Sequence, residues 1–211
     1  MKLAIVGTGA MGKVLRQYAE EEGTFDTIFC VEPTDESTWP DEKPDLLIDF
    51  SHPEAINSIY DFARKQGGGF GVVLATTGYS PQEWEIIKLI QKICPLVQKS
   101  NFSRGVEVMN RLAEQGAQLL GDSADIRVME AHHTKKKDAP SGTAKTLCSC
   151  LGIPEEEYPQ KTAVLRMGTV PGEHTVFFAM EDEVLEITHR AFSKRIFAIG
   201  ALEAGKQLLG M

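Results

Sequence analysis

The feature that most narrows what this chain can fold into is Gly7-Thr8-Gly9-Ala10-Met11-Gly12, placed between an apolar run at 3–6 and a helix-like stretch. A GxGxxG in that position joins a strand to a helix inside a βαβ unit. Its first glycine permits a tight turn, its second lets a pyrophosphate approach the backbone, and its third lets helix and strand pack closely. Gly7, Gly9, Ala10, Met11 and Gly12 are therefore candidate dinucleotide-binding residues; the alternative is a glycine turn that serves packing alone. Glu32 ends the next strand-like run, 20 residues past Gly12, where a carboxylate can accept hydrogen bonds from ribose hydroxyls. It would repel a 2′-phosphate, and Pro33, Thr34, Asp35 and Glu36 offer no neighbouring arginine. The expected cofactor is NADH, with NADPH as the weaker alternative. An exposed loop carboxylate is the other reading of Glu32.

Short β-branched runs at 3–6, Thr27–Val31, 46–50, 71–75 and Leu96–Gln98 alternate with helix-like segments over the first hundred residues. That is the pattern of a parallel sheet with helical crossovers. Met11, Leu15, Tyr18 and Ala19 share one helical face, as do Ile56, Ile59, Tyr60 and Ala63. After Asn101 the pattern changes. A helix-like stretch at about 105–120 precedes strand-like runs at 126–129, 174–179 and 184–188, which suggests an antiparallel or mixed sheet. A final helical face carries Ala198, Leu202, Gly205 and Leu209 and needs a surface to cover it. The expected class is α/β: a Rossmann-like parallel-sheet dinucleotide-binding domain, 1–100 and 190–211, with an inserted α+β mixed-sheet domain, 101–189, for substrate binding and oligomerisation. The run 33–44, rich in Asp, Glu, Ser, Thr and Pro, reads as a surface loop.

With 211 residues the chain can build one large or two small cores. No run approaches the roughly 18 apolar residues of a membrane span, and no signal-peptide core follows Met1, so a cytoplasmic, membrane-free protein is expected. Cys30, Cys94, Cys148 and Cys150 form no CxxC pair, so neither a disulfide framework nor a metal site is expected. A formal net charge of −8 excludes a general nucleic-acid surface, and any anionic ligand must be met by a local cationic patch.

One stretch supplies such a patch: Glu130-Ala131-His132-His133-Thr134-Lys135-Lys136-Lys137-Asp138-Ala139-Pro140-Ser141-Gly142-Thr143-Ala144. Histidine protonates a reacting nitrogen near neutral pH, lysine supplies a point charge for carboxylates, and the amides of a helix beginning at Ser-Gly-Thr hold an anion. Together they suit a small dicarboxylate undergoing reduction. A solvated lysine loop beside a structural histidine pair is the alternative.

The stretch resembles the EAHHxxKxDAPSGTA signature of dihydrodipicolinate reductases, and further matches run along nearly the whole chain. They include Asp49-Phe50-Ser51 with Pro53-Glu54-Ala55, Thr76-Thr77-Gly78, Asn101-Phe102-Ser103 with Gly105-Val106, Gly172-Glu173-His174-Thr175, His189-Arg190-Ala191, and Phe197-Ala198 with Gly200-Ala201. The resemblance implies reduction of a cyclic unsaturated dicarboxylate imine, formed by loss of water from a 4-hydroxy precursor, in lysine and diaminopimelate synthesis. It implies that His132 lies nearest the proton-transfer step and that Lys136 holds or polarises the substrate. Ser141, Gly142 and Thr143 would bind a substrate carboxylate, with His133 in the same pocket. Thr76, Thr77 and Gly78 resemble the turn beside the nicotinamide ribose, and Ser100, Asn101 and Phe102 the hinge that meets the nicotinamide amide; Thr77 and Asn101 are also readable as plain turn residues. The resemblance further implies a homotetramer. Three departures stand out: Ala10 where the family commonly has arginine, Ser193-Lys194 where Ser-Arg is common, and a short chain. Two rivals remain on the residues: a Rossmann dehydrogenase of an amino or imino dicarboxylate, such as an aspartate dehydrogenase, and a non-catalytic NAD(H)-binding sensor.

Overall fold

The computed structural model describes residues 1–211. In chain order it runs β1 (Lys2–Val6), α1 (Ala10–Glu22), β2 (Thr27–Val31), β3 (Leu46–Asp49), α2 (Ala55–Lys65), β4 (Gly71–Leu74), α3 (Pro81–Gln91) and β5 (Leu96–Gln98). There follow α4 (Arg104–Leu120), β6 (Asp125–His132), α5 (Gly142–Cys150), α6 (Tyr158–Lys161), β7 (Thr162–Arg166), β8 (Gly172–Ala179), β9 (Val184–Ala191) and α7 (Arg195–Leu208). The chain divides into two compact units, one of residues 1–102 with 195–211 and one of 103–194. No helix is long and apolar enough to cross a membrane.

The first unit is built on a parallel five-stranded sheet of order β2-β1-β3-β4-β5. Strand side chains alternate between faces, and the sequence makes both faces apolar. Leu3, Ile5, Leu46, Ile48 and Val73 meet α1 and α7 on one face, where Leu15, Ala198, Ala201 and Leu202 are buried with them. Ala4, Val6, Leu47, Val72 and Leu74 meet α2 and α3 on the other, against Ile56, Ile59, Ile87 and Ile90. Local chemistry fixes the helix starts. Ser80 and Glu83 form a capping box at α3 with Pro81 in its first turn, and α1 stops at Gly23, which takes a left-handed φ of 74°. The strands at 46–50 and 71–75 stop one residue early, because Phe50 and Ala75 already turn into the loops that follow. The loop 33–44 is surface chain as read, except that Trp39 turns in and stacks on Phe62 at 4.8 Å.

The C-terminal helical face finds its partner inside this unit. Leu202 is fully buried in α7, and truncation of such a leucine removes both transfer energy and packing. Leu202→Ala is expected to cost about 2–5 kcal/mol, read from the urea unfolding of the parallel-sheet unit. A loss under about 1 kcal/mol would contradict the part given to α7.

The second unit carries a four-stranded sheet of order β7-β6-β8-β9, in which β6 and β7 are parallel and the other pairings antiparallel. The sheet is thus mixed, and β7 is a strand that the sequence reading lacked. One face meets α4 and α5 through Val128, Val176, Phe178, Met109, Ala113, Leu147 and Cys148. The opposite face leaves Leu165 and Val184 exposed, while a Thr175–Thr188 hydroxyl pair lies across it at 3.0 Å. All four cysteines are free.

Candidate active site

In the first unit, the sequence-predicted nucleotide residues follow the carboxyl ends of β1, β2, β4 and β5. A parallel sheet of order 2-1-3-4-5 reverses direction between β1 and β3, and the crevice outside the strand ends at such a point is where ligands bind. Gly7 turns with φ 102°, and its amide donates to the Val31 carbonyl at 2.8 Å. A Cβ on Gly7 would lie 2.7 Å from the Phe50 carbonyl oxygen, and one on Gly12 only 1.9 Å from the Gly7 oxygen, so both positions exclude a side chain. Gly9, the N-cap of α1, has nothing within 4 Å of its would-be Cβ. Ala10 is exposed and Met11 half-buried in the first helical turn. The closed sides at Gly7 and Gly12 and the open one at Gly9 fit a pyrophosphate laid over the helix start.

Glu32 sits beside this loop: Thr8 donates its hydroxyl to the Glu32 carboxylate at 2.8 Å. The chain beyond it folds back, with the Glu32 amide donating to the Thr38 hydroxyl at 2.9 Å and Asp35 capping the turn that follows. Thr76 is buried and its hydroxyl accepts from the Ser51 amide at 3.1 Å, whereas Thr77 and Gly78 are exposed. Asp49, which the sequence reading quoted only as a match, is buried at the end of β3. It accepts from the Ser51 hydroxyl and amide, and burial pushes its carboxyl up against those hydrogen bonds. Ser100 and Asn101 are half-buried after β5, and Phe102 is buried in the core.

In the second unit the same sheet face changes character along the strands. Val128 and Val176 form an apolar row; two residues further along β6, Glu130 lies opposite His174 on β8, which pairs with His189 on β9. His132 follows, beside Gly172 and in register with Arg166 of β7. A Cβ on Gly172 would lie 3.2 Å from His132 Nε2, so glycine there leaves room for the ring. The rings of His132 and His174 meet edge-on at 5.1 Å.

Glu130 is fully buried at the centre. Its Oε1 accepts from the Ser141 amide at 3.0 Å and from the Arg166 guanidinium at 3.2 Å. Its Oε2 is 3.2 Å from His132 Nδ1 and 3.8 Å from His174 Nε2. Glu130 Oε2 and His132 Nδ1 are both buried and have no other hydrogen-bond partner, so this 3.2 Å approach is the contact each makes. Burial alone would raise the Glu130 carboxyl, but His132 and Ser141 outweigh it and hold it at about 2. Burial, reinforced by the charge of His132, pushes His174 down to about 3, so it is neutral at physiological pH.

Ser141 is the N-cap of α5: its hydroxyl accepts from the Ala144 amide at 3.2 Å and lies 3.3 Å from His174 Nε2. Both its polar groups are thus engaged within the protein, and the amides of Gly142 and Thr143 form the first helical turn beyond it. Arg166 pins the lysine loop by donating to the carbonyls of Lys136 at 3.3 Å and Asp138 at 2.6 Å. Lys136 pairs with Asp138 at 2.8 Å. His133 is half-buried, and its imidazole is pushed down by burial and then by Lys194, His132, Lys136 and Arg166. Lys194, Lys136 and Arg166 thus make a local positive patch in a chain of net charge −8.

The sequence reading missed Glu130, Gly172 and His174 as site residues, although all lie in the quoted runs; Arg166 gave no signal. Glu130, His132 and His174 also bring one oxygen and two nitrogens within 4.8 Å of one another, a set able to hold a divalent ion. The Arg166 guanidinium already balances the carboxylate there.

Comparison with known proteins agrees over the full length. The N-terminal dihydrodipicolinate reductase family model matches residues 1–102 and the C-terminal one 105–211. The 4-hydroxy-tetrahydrodipicolinate reductase of Exiguobacterium sp. is 36% identical over 99% of this chain and 90% of its own length. That of Thermosipho africanus is 36% identical over 99% of this chain and 92% of its own. Among solved structures, a dipicolinate-bound dihydrodipicolinate reductase from Paenisporosarcina sp. TG-14 shares the fold with a TM-score of 0.69 at 18% identity, covering 100% of this chain and 95% of the other. Aspartate dehydrogenase from Thermotoga maritima shares it at 0.53 and 14%, covering 99% and 96%, a likeness of fold alone. The chain belongs to the dihydrodipicolinate reductase family, NAD(P)H-dependent oxidoreductases with 4-hydroxy-tetrahydrodipicolinate reductase activity.

Proposed function

We propose that the first unit binds the dinucleotide, with NADH preferred, and that the second unit binds the cyclic dicarboxylate and protonates it. The observation that carries this is the set of cationic side chains around His133, Lys194, Lys136 and Arg166, beside His132 in an otherwise acidic chain. Bound NADH supplies the hydride, and the protein supplies charge, orientation and a proton. The Gly142 and Thr143 amides, with the helix dipole behind them, meet one substrate carboxylate. Lys136 and His133 face the dianion, and Asp138 holds the Lys136 ammonium until substrate displaces it. His132 turns Nδ1 toward Glu130, which leaves Nε2, on the Gly172 side, to deliver the proton. Gly7, Gly9, Ala10, Met11 and Gly12 take the pyrophosphate, Glu32 the adenosine ribose, Thr76, Thr77 and Gly78 the nicotinamide ribose, and Ser100, Asn101 and Phe102 the nicotinamide amide. No metal enters the scheme. The open face of the four-stranded sheet, with Leu165 and Val184 exposed, supports assembly into a homotetramer, and the site of action is the cytoplasm.

The test generates the unstable substrate with the preceding synthase and follows NADH loss. Pyridine-2,6-dicarboxylate, planar and doubly anionic, is expected to inhibit in competition with that substrate. Non-competitive behaviour, or none at millimolar concentration, would overturn the substrate site.

A further inference from the structure

We propose that Glu130 is a positioning residue that fixes the proton donor and the substrate anchor in one geometry, an inference resting on the reading of His132 as donor. Its two oxygens face the two tasks. Oε2 lies against His132 Nδ1 at 3.2 Å, and Oε1 accepts the amide of Ser141, the cap on which the anchoring turn of α5 is built, at 3.0 Å. Nothing exposes this carboxylate to water, so neither contact is exchanged for solvent. An ionised carboxylate beside Nδ1 selects the tautomer with its proton on Nδ1 and leaves the Nε2 lone pair to receive the transferable proton. It also favours the imidazolium that must form before a proton is given. The triad of hydrolases uses its buried acid in this way.

The charged and titratable groups around the pair come from every packed element. Arg166 approaches from β7 at 3.2 Å and ties Glu130 to the loop that carries Lys136, Lys137 and Asp138. His174 lies across on β8, and His189 beyond it on β9 stands 3.3 Å from the Ser103 hydroxyl at the cap of α4. Ser141 closes the α5 side. Burial holds His174 and His189 below the usual imidazole range, and the carboxylate that faces His132 Nδ1 is that of Glu130.

The experiment compares Glu130→Gln, Glu130→Asp, His132→Ala and the Glu130→Gln/His132→Ala double variant in the full enzyme. Glu130→Gln keeps the volume and removes the charge. Expected are a ten- to hundredfold fall in kcat, an alkaline limb of the kcat profile moved to lower pH, unchanged NADH binding, and partial return of the limb in Glu130→Asp. At saturating substrate the double variant should have the kcat of His132→Ala, because the part of Glu130 that acts through His132 has nothing left to act on, while its part at the Ser141 amide is read separately in KM. Losses that multiply, or a Glu130→Gln profile with an unmoved limb, would overturn the proposal. If the variants do not fold, ¹⁵N spectra of histidine-labelled parent enzyme at alkaline pH still decide: protonation of His132 on Nδ1 is expected, and on Nε2 would refute it. Undiminished turnover in His132→Ala would instead sink the assignment of the donor itself.

Discussion

His132→Ala and Lys136→Ala each lower turnover by about 10²-fold or more, while NADH affinity stays within a few-fold of the parent. The size is that of a lost general acid or of a lost charge opposite the developing transition state. Removing His132 leaves Glu130 buried and ionised with only Arg166 and the Ser141 amide as partners, so its loss takes away both the proton and the balance of the cluster. Lys136 acts differently. Its backbone carbonyl is held by Arg166 whatever its side chain, so the loop survives the substitution and only the ammonium goes. The lysine variant should therefore raise KM as well as lower kcat, and the histidine variant should act mainly on kcat. The nucleotide residues lie in the other unit of the chain, so both variants should bind NADH as the parent does. Stopped-flow turnover with fluorescence titration of NADH separates the outcomes; two variants within a few-fold of the parent would refute the site.

The second large effect is in cofactor choice. NADH is expected to exceed NADPH in kcat/KM by about ten- to a hundredfold, the worth of roughly 1–3 kcal/mol for a phosphate set against a carboxylate with no cation to pair it. Thr8 donates to Glu32 and holds it beside the glycine loop. Thr38 bonds back to the Glu32 backbone, so the acidic stretch with Asp35 and Glu36 stays next to it. The Ser37 hydroxyl and amide keep the Asp35 carboxyl below its usual range, so that side chain is an anion as well. Ala10 supplies no guanidinium, and Lys13 is exposed one turn into α1. Comparing the cofactors at low and moderate salt tests this, since salt weakens exposed phosphate contacts. Equal use at both would refute the part given to Glu32, and a clear NADPH preference would assign the phosphate to Lys13 or a more distant cation.

What could be read from the sequence was local. The glycine loop declares itself because strand, turn and helix start fall within a dozen residues, and Glu32 follows at fixed distance because one helix and one strand intervene. The α7 face was legible as apolar and as packing back on the first domain, but not which residues it meets there, Leu3 and Ile5 among them, from the far end of the chain. In the second unit the His-Lys run was legible as a motif, but the inward turn of its polar residues around Glu130 was not. Glu130 and His132 alternate with Met129 and Ala131, a pattern that ordinarily points the charged set to solvent, yet they face inward toward α5. Arg166 joins them only through the parallel pairing of β7 with β6, a contact of long sequence separation made by a five-residue strand. Its exposed Leu165 and the charged residues flanking the run gave no core-facing period to detect.

The order of the chain also sets the order in which its parts can be finished during synthesis. The parallel sheet needs α7 to close over Leu3, Ile5, Leu46 and Ile48, but α7 follows residues 103–194 and is translated after all of them. At about 5–20 residues per second, the nascent sheet waits roughly 5–20 seconds with α1 alone on that face. During that interval the later-translated unit can complete its own core, while the earlier one presents an uncovered aliphatic strip to chaperones and to other nascent chains.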